Sequence, residues 1–215
     1  MLDYTLYNYA FYLFGAAFNR FFLIYVALFT LAIFALIFGL AKLDVNAISQ
    51  NFRPRTPVKW ISGYMLFVAV GLSGVYIVQS LSFITTGQLP PIVTLTGHPT
   101  SVVFALDLSL LTPFLALGAI WLCRRRPWGF ALAAILLVKG AVYTLVLTAG
   151  SLFAANAGVP GALAETPLWI VLTVAGLIVN LALLGNLEPA NRTGFVNDRS
   201  SLSPLTPLNS SERPR

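Results

Sequence analysis

Five apolar stretches alternate with short polar segments, at about 21–41, 60–84, 101–123, 128–153 and 167–187. Each is 21 to 26 residues long, and a helix needs about 20 residues to cross the hydrocarbon core of a bilayer. Membrane strands would instead give segments of about ten residues with alternating polarity. The pattern predicts an all-α, polytopic membrane helix bundle with about five transmembrane helices. Residues 1–20 carry Tyr4, Tyr7, Tyr9, Phe11, Tyr12, Phe14 and Phe18. Aromatic rings of this kind favour the water–lipid boundary, so this stretch reads as an N-terminal interfacial segment, with one long tilted helix from about Tyr7 as the alternative. Residues 188–215 are rich in Ser, Pro and Asn and lack helical periodicity, which predicts a disordered tail.

Composition agrees with the pattern. Hydrophobic residues make up 58% of the chain and charged residues 9%, against roughly 25% charged in soluble domains. So few charges cannot clothe a water-facing surface. The net charge of +6 does not mark a nucleic-acid-binding face, because the basic residues fall between the apolar runs. Lys42, Arg53, Arg55 and Lys59 follow the first span, Arg124, Arg125 and Arg126 follow the third, and Arg192, Arg199, Arg213 and Arg215 follow the fifth. The other two loops carry no Lys or Arg. Under the positive-inside rule, Arg53, Arg55 and Arg124 to Arg126 are topology anchors, with the N-terminus outside and the C-terminus cytoplasmic. Arg20 is the outward exception. No charged region precedes the first apolar stretch as in a cleavable signal peptide. The sequons at Asn191 and Asn209 fall on the predicted cytoplasmic side.

The stretch from Pro99 to Gly140 contains Leu106-Asp107-Leu108, Pro113, the triple Arg followed by Pro127-Trp128-Gly129, and Leu137-Val138-Lys139-Gly140. It resembles uncharacterised bacterial multi-spanning membrane proteins with a similar acidic span and Arg-rich turn. The resemblance covers about a fifth of the chain. It implies a bacterial inner membrane and no particular activity.

Chemistry would have to use few residues. Asp107 lies seventeen residues before Arg124, about 25 Å along a helix. Lys139 lies thirteen residues after Arg126, about 20 Å along the next. A charge in hydrocarbon costs several kcal/mol unless paired, hydrated or neutralised, which makes both functional-site candidates by default. They either face a shared polar cavity for proton or solute handling, or form an interhelical ion pair, or snorkel separately. Side chains lean toward their own helix N-terminus, so on antiparallel helices these two lean apart. Tyr143, one turn beyond Lys139, and Gln79, near the outer end of span two, are candidates to join them. His98, in the outer loop before span three, is a possible proton-exchanging group. Asn180 suits an interhelical hydrogen bond, and Glu165 suits a helix N-terminus.

His98 and Cys123 are the only His and Cys, too few to build a zinc site from those residue types. No catalytic or cofactor-binding motif is present. The sequence therefore favours a non-enzymatic membrane subunit, assembly factor or scaffold, with the lipid bilayer and a membrane-protein partner or second copy as its surroundings. A small solute or proton-coupled transporter using Asp107 and Lys139 is the alternative. A membrane enzyme acting on lipid or quinone ranks third, since it needs several polar groups at one depth.

Overall fold

The structure, a computed structural model, describes residues 2–96, 99–159 and 161–188. Apolar side chains along each predicted span leave backbone hydrogen bonding to be satisfied within the segment, and helices result. Helix α1 spans Leu2–Gly15, α2 Phe22–Ala41, α3 Val45–Gln50, α4 Val58–Thr86 and α5 Pro91–Thr96. Helix α6 (Val102–Leu106), a π-helical turn (Asp107–Leu111) and α7 (Thr112–Cys123) follow as one continuous span. Helices α8 (Pro127–Asn156) and α9 (Thr166–Leu184) complete the all-α bundle. Five of these helical segments are long and apolar enough to cross a membrane, with boundaries close to the five expected stretches. His98 and the tail 189–215 lie outside the described residues.

The polar loop after α2 is more ordered than its composition suggests. Asp44 caps α3, its Oδ1 accepting from the backbone N–H of Asn46 (3.0 Å) and Ala47 (2.9 Å), as an N-cap carboxylate does. Residues 51–53 then meet 186–188. Arg53 N–H donates to the Asn186 carbonyl at 3.0 Å, and Glu188 N–H donates to the Asn51 carbonyl at 2.7 Å. The Arg53 and Glu188 side chains pair across the same bridge at 3.5 Å.

The packed core sits at this basic end. It draws on the first half of α4 (Val58, Ile61, Met65), on α7 (Leu115, Ala119, Leu122), which is the second half of its span, on the first half of α8 (Phe130, Ala133, Leu137) and on Leu183 of α9. Helices α7 and α8 close there through Arg124–Arg126. Gly129 lies so near the backbone of Trp121 and Leu122 that any Cβ would collide with it. Pro127 opens α8, and Arg126 ahead of it is extended (φ −74°, ψ 143°), as the residue before proline tends to be.

Within the aromatic-rich N-terminal stretch, residues 2–15 form a helix that packs lengthwise on the next one. Helix α1 runs antiparallel along α2: Tyr12 stacks on Tyr25, Phe14 meets Phe29 edge-on, and Leu2 reaches Gly39. Leu2 therefore lies beside the last turn of α2, the end that carries Lys42. The other face of α1 packs on α6 and α8. Helix α2 packs chiefly on α1, and only Ala32 of its residues is buried. The single long helix considered as an alternative is interrupted between Ala16 and Phe21.

Candidate functional site: a buried aspartate held by two tyrosines

The site is set by Pro113. In a regular α-helix, proline at this position would remove the bond to the carbonyl four residues back and crowd it. The chain relieves this by widening just before the proline. Thr112 N–H donates to the Asp107 carbonyl, five residues back, making a π-helical turn from Asp107 to Leu111. The extra residue rotates α6 by about 100° relative to α7. Asp107, at the start of this turn, is 1% exposed.

Both carboxylate oxygens of Asp107 are satisfied. The Tyr7 hydroxyl donates to Oδ1 and the Tyr76 hydroxyl donates to Oδ2, each at 2.8 Å. Tyr7 comes from α1 and Tyr76 from α4, so one carboxylate joins three segments. The Tyr76 ring is held by stacking on Phe104, centroids 4.2 Å apart. Two charge-assisted bonds of this length offset much of the cost of keeping a carboxylate away from water.

Lys139 and Asp107 do not form an ion pair, one of the three arrangements open to them from the sequence. The Lys139 Nζ is 3.8 Å from Oδ2 of Asp3 on α1 and 4.5 Å from the centre of the Tyr7 ring. Tyr7 thus stands between the two, its hydroxyl on the acid and its face under the ammonium, a favourable cation–π arrangement. The opposed lean of Asp107 and Lys139 on antiparallel helices accounts for the separation. On α1 and α8, which run parallel here, Asp3 and Tyr7 are four residues apart, and so are Lys139 and Tyr143. They meet as two rungs: Asp3 with Lys139, and Tyr7 edge-on with Tyr143, centroids 6.1 Å apart.

Tyr143 thus joins the cluster through the Tyr7 ring. Gln79, three residues beyond Tyr76 on α4, is not among the groups bonded to Asp107. Asn180 forms an interhelical bond, donating to the Leu137 carbonyl of α8 at 2.8 Å and to Gly176 of its own helix at 2.9 Å. Glu165 occupies the N-cap position of α9 without a side-chain bond to that turn.

The basic anchors gather at the other end. Arg125 Nη2 donates to the carbonyls of Pro54 (2.8 Å) and Thr56 (3.3 Å), tying the α7–α8 turn to the segment before α4. Arg53 pairs with Glu188. Arg55, Arg124 and Arg126 have no carboxylate within ion-pair distance among the described residues.

Three members of the cluster, Asp3, Tyr7 and Tyr76, were not singled out from the sequence. Two signals pointed toward them: Asp3 and Tyr7 share a face at a spacing of four, and Pro113 demands a local change of helix geometry close to Asp107. Compared with family models, curated proteins and solved structures, the chain has no match.

Proposed function

We propose that the chain is a non-enzymatic multi-pass membrane component, a subunit, assembly factor or scaffold, in which the Asp107 cluster locks α1 into the bundle. The observation that carries this reading is the double capping of Asp107 by Tyr7 and Tyr76. A carboxylate with both oxygens bonded to side chains of its own protein serves as a structural cross-link between helices. The charge asymmetry of the loops favours the basic end facing the cytoplasm, and the resemblance of Pro99–Gly140 favours a bacterial inner membrane. In that orientation α1 descends from the outer side, and Leu2 lies toward the inner half of the bundle. The outward faces of α2 and α9, with Leu23, Phe38, Val171 and Leu181 all more than 60% exposed, suit lipid, a membrane-protein partner or a second copy of the chain.

The test compares wild type with Asp107→Asn and Tyr7→Phe, purified and reconstituted into vesicles loaded with a pH-sensitive dye. This reading expects both variants to melt at lower temperature, and all three proteins to leave proton leak at the level of empty vesicles. Protein-dependent flux that Asp107→Asn abolishes would overturn it in favour of a proton-coupled transporter. One observation favours that second reading: Asp107 lies in a π-helical turn, a feature frequent at functional sites.

A further inference from the structure

A groove of about 320 Å³ opens at the basic end, between the start of α4 and the end of α7, lined by Thr56, Lys59, Trp60, Cys123 and Arg125. Its floor is fixed by an unusual residue. Arg125 has φ 52°, a left-handed conformation that L side chains other than Asn and Asp seldom adopt. Its guanidinium is held by Nη2 on two backbone carbonyls, while Nη1 and Nε make no bond within the described residues. Lys59 likewise meets no carboxylate among the described residues. Two cations thus line one groove with no carboxylate paired to either among the described residues.

The third element is Trp60, 82% exposed in the first turn of α4. An indole at the end of a membrane span belongs at the headgroup level, with its ring in the acyl boundary and its N–H toward water. The groove therefore combines positive charge and an apolar platform at one depth. The Nη1 and Nε donors of the guanidinium remain for phosphate oxygens as single bonds, and the Lys59 ammonium adds a point charge.

We propose that this groove binds the phosphate of an anionic phospholipid, with Arg125 and Lys59 on the phosphate and Trp60 against the glycerol and upper acyl chain. The neighbouring indole selects a lipid headgroup over free phosphate. The inference rests on the membrane-embedded reading of the chain and is independent of the role given to Asp107.

The experiment titrates the detergent-solubilised full chain with phosphatidylglycerol or phosphatidylcholine of identical acyl chains, counting bound lipid by native mass spectrometry. Wild type is expected to prefer phosphatidylglycerol. Lys59→Gln is expected to weaken that binding about fivefold, the effect of removing one basic residue at a lipid surface. Trp60→Ala is expected to weaken both lipids. Lys42→Gln, a charge at the end of α2 outside the groove, is expected to leave binding unchanged. Circular dichroism melts confirm that the variants are folded. Equal binding of the two lipids would overturn the proposal, as would equal losses in Lys42→Gln and Lys59→Gln. Displacement of phosphatidylglycerol by millimolar inorganic phosphate would overturn the lipid assignment.

Discussion

At the residue scale, a single carboxylate acts as a cross-link because the alternatives in hydrocarbon are so costly. Removing one hydroxyl leaves one oxygen of Asp107 without its donor. Tyr7→Phe and Tyr76→Phe are each expected to lower stability by about 1–2 kcal/mol, between the usual value for bonds among membrane helices and that for bonds to a charged group. Steric-trap or chemical-denaturation measurements on the two single variants and the double variant check this. The double variant is expected to lose more than the sum, because the last bond supports a buried charge. An effect below about 0.3 kcal/mol in both single variants would show that Asp107 is satisfied in another way. Asp107 and Lys139 stood out in the sequence because charges inside apolar runs are conspicuous. Their partners did not, because Tyr7 and Tyr76 are ordinary tyrosines in an aromatic-rich chain, and only the folded arrangement sets them apart from Tyr9 or Tyr12.

At the element scale, hydrophobic length alone predicted the five spans, since lipid leaves the backbone few options. What length cannot convey is how helices approach one another. Gly129 decides this for α7 and α8, where a Cβ would meet the backbone of Leu122. Gly129→Ala is expected to cost about 1–3 kcal/mol, the usual range for overpacking, and to lower the melting temperature measured in detergent. Gly63→Ala, with open space at the Cβ position, serves as the tolerated control. The short helix α3 was hidden for a different reason: the loop between α2 and α4 is polar, and its order comes from the Asp44 cap and from packing on α8. The direction of α1 was equally hidden, because its aromatic residues suit a membrane interface and a helix–helix contact alike.

At the scale of the whole molecule, the bundle is unevenly fastened. Its basic end holds the apolar core and the bridge between residues 51–53 and 186–188. The polar contacts of α1 with the rest of the bundle centre on Asp107 and Lys139. Helix α2 in turn packs chiefly on α1. Loosening the two polar rungs is therefore expected to release both helices together. In the Asp3→Asn, Tyr7→Phe double variant, amide hydrogen exchange is expected to rise throughout α1 and α2 while the core-forming halves of α4, α7 and α8 keep their protection. Uniform loss of protection would show instead that the bundle opens as one unit. The seat of α1 also has a consequence for biogenesis. Tyr76, Asp107 and Lys139 all come after α1 in the chain, and Lys139 lies 136 residues after its partner Asp3. A ribosome delivers α1 ahead of these residues, and its polar docking partners are incomplete until α8 has emerged. Helix α1 must therefore wait beside α2 and takes its seat only once α8 has been made.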